Sequence, residues 1–258
     1  MIKAKKHFGQ NFLKDQSALE KITQAISKET PFIVEIGPGL GDLTQKLLGI
    51  CKVKAIEIDD ELIPLLEKKF HQELKNADLT LLNLDACKAF TPSLHNDEYV
   101  LVANLPYYVS THLILQALED KNCKQLIVMI QKELALKFCA TEGQSDFCAL
   151  SVLAGLICER ELLFELKPES FEPAPKVDSA VISLKRKANY DEIVDIQAFK
   201  AFLRQCFCAP RKQLANNLKA HKKELLKSLN ELGLKENIRA SELCVKSYLK
   251  IFTDLKDK

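Results

Sequence analysis

Between residues 32 and 130, short continuous apolar runs alternate with stretches whose apolar positions recur every three or four residues. FIVEI (32–36), KVKAIEI (52–58), LTLLNL (79–84), YVLVA (99–103) and QLIVMI (125–130) read as strands. LTQKLL (43–48), ELIPLLEKKF (61–70), STHLILQAL (110–118) and KELALKF (132–138) read as helices, the third opening on a Ser/Thr cap. Strands apolar along their whole length, separated by helices, predict βαβ units and a mostly parallel sheet buried on both faces. Later, ELLFEL (161–166) and SAVISLKR (179–186) follow one another with no helical pattern between them, which predicts an antiparallel ending to the sheet.

Beyond about residue 188 the pattern turns purely helical. In RKQLANNLKAHKKELLKSLNELG, Leu214, Leu218, Leu225, Leu229 and Leu232 form an apolar stripe, and Gly233 fits a C-cap. Lys212, Lys219, Lys222, Lys223 and Lys227 fall mostly off the stripe. The expected organisation is an α/β domain over 1–189 with a basic N-terminal segment, then a small all-helical domain over 190–258.

The 258 residues are 47% hydrophobic, enough for one large core with an appendage. No apolar run reaches the roughly 18 residues that span a bilayer. The N-terminus lacks the apolar stretch of a secretory signal, so a cytoplasmic protein without membrane contact is expected. Nine cysteines without a CxxC pair read as reduced thiols used as small core residues, and no metal site is expected. Net charge is only +2 but uneven, with residues 184–258 at +8 and residues 1–183 at −6. Basic segments at both ends suggest contacts to nucleic-acid phosphates through Lys5, Lys6, Arg211, Lys212, Lys219, Lys222 and Lys223. Taken alone, simple solvation of Lys-rich faces is the better explanation of the same residues.

Ligands of open α/β sheets sit beyond the carboxyl ends of the strands. After the first strand, Gly37, Gly39 and Gly41 at alternate positions allow a sharp turn and a close backbone approach. A dinucleotide fingerprint would need glycine where Asp42 stands, so the turn suits a nucleoside cofactor without a pyrophosphate. Glu57 lies 20 residues past Gly37, the usual distance for a ribose-binding acid. Asp85, or the backbone beside it, is placed to read an adenine edge, although a simple capping role fits it equally. After the fourth strand, Asn104 offers an amide oxygen, Pro106 fixes a turn that turns the Leu105 carbonyl outward, and Tyr107 offers a flat ring. Two acceptors beside an aromatic face describe a grip for an amino group on a planar heterocycle. Tyr108 is expected to pack into the core.

The blocks KKHFGQNFLKD (5–15), VEIGPGLGDLT (34–44), IEID (56–59), LD (84–85), NLPYYVS (104–110), QKE (131–133), LSV (150–152) and FEPAPKVDSAVI (171–182) run in order along most of the chain. Together they resemble the small-subunit ribosomal RNA adenine dimethyltransferase family, whose bacterial members confer kasugamycin sensitivity. The resemblance implies a Rossmann-like fold dependent on S-adenosylmethionine, with a helical C-terminal domain contacting RNA. It implies transfer of two methyl groups to N6 of each of two adjacent adenosines, in a hairpin loop near the 3′ end of the RNA of an assembling small subunit. It carries cofactor contacts onto Asn11, Leu13, Gly37, Glu57, Asp85 and Asn104, to which the turn adds Gly39. It places Phe171 opposite Tyr107 as a clamp on the target base. The absence of a His or Cys nucleophile agrees with such a transfer, which needs alignment and electrostatic placement.

The chain departs from the family pattern at Tyr108 and Val109, where Asn and Ile are usual, and at Phe147-Cys148-Ala149, where a Tyr-Gly pair precedes LSV. Pro210 and Ala215 stand where arginines are common. Rival readings are a large-subunit rRNA adenine methyltransferase of the macrolide-resistance type, a non-catalytic assembly or transcription factor, and a DNA adenine methyltransferase. PGLG, PKVDSAV and the GQNFL block favour the small-subunit family. A monomer is expected.

Overall fold

The computed structural model describes residues 4–27, 29–188 and 195–256. The chain divides into two compact units, Met1–Ala135 with Glu161–Arg186, and Leu136–Arg160 with Lys187–Lys258.

The first unit is built on a seven-stranded sheet of order β4-β3-β2-β5-β6-β9-β7. The strands are β2 (Ile33–Ile36), β3 (Val53–Glu57), β4 (Leu79–Asn83), β5 (Tyr99–Asn104), β6 (Cys123–Gln131), β7 (Cys158–Leu166, counted in this unit from Glu161) and β9 (Ser179–Arg186). The five strands from β4 to β6 pair in parallel. β9 then runs antiparallel to β6, from Gln125↔Lys185 to Gln131↔Ser179, which gives the sheet its expected antiparallel ending. All four residues of β2 and the first five of β5 are buried, as continuous apolar runs require when helices cover both faces. The chain moves outward from β2 through β3 to β4, then returns to start β5 on the other side of β2. The ends of β2 and β5 therefore flank the switch point, where a crevice opens.

Helices α2 (Asp42–Leu47), α3 (Ile63–Lys69) and α6 (Ser110–Glu119) match the periodic stretches. The segment before the sheet is ordered too. Lys6–Phe8 form a 3-10 turn, β1 is Phe12–Leu13, and α1 spans Gln16–Gln24. Asp15 caps α1 by accepting a hydrogen bond from the Ala18 N–H at 3.1 Å. β1 pairs with β8 (Phe171–Glu172), far away in sequence.

The second unit is helical. The expected division at residue 189 lies outside the described residues, and residues 136–160 group with the C-terminal segment. Within that unit, the Arg160 guanidinium donates to the carbonyls of Ala140 at 2.8 Å and Ser151 at 2.7 Å, tying α7 (Lys132–Cys139) to α8 (Ala149–Ile157). Phe199 and Phe202 of α9 (Ile196–Cys206) meet Tyr248 and Phe252 of α12 (Val245–Lys256).

The leucine stripe expected to be helical is not carried by one continuous helix. The segment forms α10 (Leu214–Asn217), a 3-10 turn at Lys219–His221, and α11 (Lys222–Glu231). The Asn217 amide turns away to donate to the carbonyls of Cys206 at 2.6 Å and Ala209 at 3.2 Å, closing the end of α9. Gly233, at φ +67, does follow α11, and the Leu234 N–H returns to the Leu229 carbonyl. The cysteines correct the core reading. Of the nine, Cys123, Cys158 and Cys206 alone are buried, and Cys208 is exposed.

Candidate active site

The glycine turn after β2 is held by its own backbone. Gly37, Gly39 and Gly41 all have positive φ. The Gly37 N–H donates to the Ile56 carbonyl at 2.9 Å, Gly39 N–H to Glu57 Oε2 at 3.1 Å, and Gly41 N–H to the Pro38 carbonyl at 2.8 Å. All three glycine amides are thus used within the protein. A Cβ on Gly39 would stand 3.0 Å from the Phe12 ring, so the N-terminal segment closes directly on the turn.

A pocket with an open volume of about 820 Å³ lies at the switch point. It brings together nine of the residues singled out in the sequence: Asn11, Gly37, Gly39, Glu57, Asp85, Asn104, Leu105, Pro106 and Tyr107. Leu13 lines a smaller adjoining cavity that shares Phe12, Gly37, Gly39 and Asn104 with the first. The spacing did not signal Phe8, Gly9, Gln10, Ile58, Leu84 and Cys87, which also line the main pocket. Ile58 and Leu84 are large apolar residues left exposed beside it.

Glu57 ends β3 almost fully buried, and burial raises its pKa above the usual carboxylate range. Its Oε1 accepts from the Asp59 N–H at 2.9 Å, while Oε2 holds Gly39. A carboxylate has about four acceptor sites, so capacity for a ribose hydroxyl remains. Asp85 caps α5 (Ala86–Ala89), its Oδ1 accepting from the Cys87 N–H at 3.0 Å. Glu35, beneath the turn, is 1% exposed and receives the Thr44 hydroxyl at 2.6 Å. Burial raises its pKa to about 8.

The N-terminal segment does more than cover the pocket. Asn104 Nδ2 donates to the Asn11 carbonyl at 2.8 Å. That bond fixes the amide, leaving Oδ1 as the unused acceptor end. The Leu105 N–H donates to the Met129 carbonyl at 3.1 Å, and the Pro106 carbonyl receives the Val109 and Ser110 N–H groups. Among the described residues the Leu105 carbonyl receives no such donor. The segment itself is clasped to Asp59, which is 1% exposed and accepts Lys5 Nζ at 2.6 Å and Gln10 Nε2 at 2.7 Å. Lys5 also pairs with Glu61 at 3.1 Å, so its charge is engaged by the protein's own carboxylates.

The two tyrosines reverse one expectation. Tyr107 is half-buried, and its hydroxyl lies 2.8 Å from Ser179 Oγ. Tyr108, expected in the core, is 64% exposed and lines the pocket mouth, where a Cβ on Gly9 would touch its ring at 3.4 Å. The turn that sends Tyr107 toward β9 leaves its neighbour facing outward. Phe171 is a second correction. It does not line the pocket opposite Tyr107 but is 5% exposed within the apolar core, on β8 opposite Leu13 of β1. Pairing with β1 turns its ring inward.

Of the basic residues, Arg211, Lys212, Lys219, Lys222 and Lys223 are exposed on the second unit. The Lys6 side chain lies outside the described residues.

The pocket carries two carboxylates and, among the described residues, no Lys, Arg or His. It suits a nucleoside bearing positive charge and opposes a nucleotide phosphate, which is the character of S-adenosylmethionine. A mostly parallel sheet with this pocket, and an amide-Leu-Pro-Tyr turn beside it, defines a Rossmann-like methyltransferase directed at an amino group.

The comparisons give the family. The family described as ribosomal RNA adenine dimethylase matches residues 1–257. The ribosomal RNA small subunit methyltransferase A of Campylobacter jejuni strain RM1221 is 59% identical over 258 residues, covering 100% of this chain and 97% of its own length. The protein of that name from Helicobacter hepaticus is 43% identical, over 99% of this chain and 93% of its own length. A dimethyladenosine transferase from Plasmodium falciparum superposes with a TM-score of 0.81 at 28% identity, covering 95% of this chain and 98% of its own. The 23S rRNA methyltransferase ErmE shares the fold, with a TM-score of 0.77 at 22% identity over 95% of this chain and 100% of its own. The chain belongs to the ribosomal RNA adenine dimethylase family and is an S-adenosylmethionine-dependent rRNA adenine dimethyltransferase.

Proposed function

We propose that this enzyme dimethylates N6 of two adjacent adenosines in a hairpin loop near the 3′ end of small-subunit rRNA, in an assembling particle in the cytoplasm. The small-subunit substrate is supported by the name shared by relatives at 59% and 43% identity. The likeness to the 23S enzyme extends to the fold alone.

The observation that carries the chemistry is the locked amide of Asn104. The N6 lone pair of adenine is delocalised into the ring and is a weak nucleophile. Asn104 Oδ1 and the Leu105 carbonyl accept the two N–H bonds and hold the nitrogen in a more tetrahedral, more nucleophilic state. The target base leaves its stack to reach them, and stacking on Tyr107 offsets that cost by about 1–3 kcal/mol. Bound S-adenosylmethionine supplies a methyl group on a positively charged sulfur, already strongly electrophilic. Asn11, Leu13, Gly37, Gly39, Glu57, Asp85 and Asn104 would hold it. The amine becomes acidic as it gains the methyl and gives up its proton without a dedicated base. Arg211, Lys212, Lys219, Lys222 and Lys223 serve as phosphate contacts, and the helical unit carrying them acts as the RNA-contacting domain. The protein acts as a monomer.

The test is incubation of unmethylated small-subunit particles with labelled cofactor, followed by mapping of the product. Two neighbouring dimethyladenosines are expected, and label in large-subunit RNA alone would overturn the proposal. Asn104→Ala should fold normally and lose about 10²–10³ in kcat, the scale for removing one preorganised polar contact to a reacting centre.

A further inference from the structure

Tyr107 is held at both ends. Its carbonyl accepts the Ser110 hydroxyl at 3.0 Å, and its phenol oxygen lies 2.8 Å from Ser179 Oγ. Ser110 and Ser179 are both buried. Ser179 opens β9 opposite Gln131 of β6, while Asn104 closes β5 opposite Met129 of the same strand. The Tyr107 side chain therefore reaches from the turn after β5, past the end of β6, to β9.

The sheet does not need this bond for its register, since seven consecutive residue pairs already align β6 with β9. A phenylalanine ring would line the pocket as well as a tyrosine ring. The hydroxyl adds an anchor, and an anchored ring cannot swing toward the open mouth. Methyl transfer depends on alignment, and small misplacements of the reacting base cost much of the rate. The second transfer is the more exacting, because N6-methyladenine must be held with one N–H still bonded while its first methyl is accommodated.

We infer that Ser179 is a positioning residue, fixing the angle of the Tyr107 ring against the target base and so setting the clearance for the second methyl. This rests on the stacking role proposed for Tyr107. Ser179 touches neither base nor cofactor; it acts through the ring.

The test follows mono- and dimethylated product by mass spectrometry in single-turnover reactions on unmethylated small-subunit particles. Ser179→Ala and Tyr107→Phe remove the same hydrogen bond from opposite ends, so either carries the test should the other fail to fold. Each is expected to slow the second transfer about tenfold, so that monomethyladenosine accumulates, with cofactor Kd and Tm close to the parent values. The double variant should be no worse than either single variant, because one interaction is lost in all three. Ser179→Thr, which keeps the hydroxyl, should restore the parent product ratio. Parent ratios in both single variants, or additive losses in the double, would overturn the inference. Full activity of Tyr107→Ala would instead remove the stacking role itself. An inactive Tyr107→Ala beside a fully competent Ser179→Ala would remove only the positioning role.

Discussion

Glu35 lies beneath the glycine turn, 1% exposed, with the Thr44 hydroxyl at 2.6 Å. Burial raises its pKa from 4.5 to about 8; the Thr44 bond opposes the shift, and the nearby charge of Glu57 adds to it. The native state thus keeps a proton that the unfolded chain releases. The stabilisation is fully present below pH 4.5, is lost as pH rises toward about 8, and is constant above that. Integrated from pH 5 to 9, this single group removes about 4 kcal/mol. That is a large share of the 5–15 kcal/mol that typically separates native from unfolded protein.

Glu35→Gln replaces the protonated acid with a neutral isostere whose carbonyl still accepts from Thr44. At pH 5 it should be within about 1 kcal/mol of the parent, the scale of one rearranged hydrogen bond. At pH 9 it should be the more stable protein by about 3–4 kcal/mol. The assay is urea unfolding of both proteins at half-unit steps across that range. Glu57, whose pKa burial also raises, shifts stability in the same direction in both proteins, and only its coupling to the Glu35 charge, which Glu35→Gln removes, enters the difference. Parallel loss of stability in parent and variant, with a difference below about 1 kcal/mol at pH 9, would refute the reasoning.

Gly41→Ala should cost about 2–5 kcal/mol in urea unfolding, combining a left-handed φ of +78 with a Cβ 2.6 Å from the ring of fully buried Phe70. Gly143→Ala, at φ +85 with nothing within 4 Å, should cost only about 1–2 kcal/mol; equal losses at both sites would mean that Phe70 yields freely. Asp59→Asn should loosen the N-terminal clasp, raising cofactor Kd at least about tenfold and speeding trypsin cleavage after Lys5. Unchanged Kd and cleavage would show that the clasp is not needed. Burial pushes the Asp59 pKa up, but hydrogen bonds from Lys5 and Gln10 outweigh it and hold the carboxyl below 3.8. Its stabilising contribution is therefore present above pH 3.8 and is lost as pH falls through the lower native value.

The parallel strands were legible because burial on both faces demands continuous apolar runs, and the glycine turn because no other residue takes its three positive φ angles easily. What the sequence hid was non-local. Tyr107 and Tyr108 are adjacent and chemically identical, and what separates their fates is Ser179, 72 residues away. Phe171 turned inward because β8 finds its partner in Leu13 rather than in a neighbouring strand. The leucine stripe kept its period, yet the helix broke where Asn217 served the end of α9, a use that periodicity cannot register. Residues 136–160 meet the C-terminal helices through contacts far apart in sequence, the Phe147 ring against Phe207 and the Gly143 N–H on the Ser241 carbonyl, which no local pattern announces.

The basic N-terminus shows how charge alone misleads. Lys5 suggested a phosphate contact, but Asp59 and Glu61 hold its ammonium, and hydrogen bonding to Asp59 raises its pKa. The clasp presses Phe8 to Phe12 against the pocket and delivers the Asn11 carbonyl to Asn104. An asparagine amide freed from that carbonyl can flip, presenting a donor where the proposed grip on the target amine needs an acceptor. On the proposed mechanism, enclosing the cofactor and orienting the amide are one event, because the segment that lines the pocket also carries the Asn11 carbonyl. A clasp variant should therefore lose kcat along with cofactor affinity, whereas a segment that served only as a cover would change affinity alone.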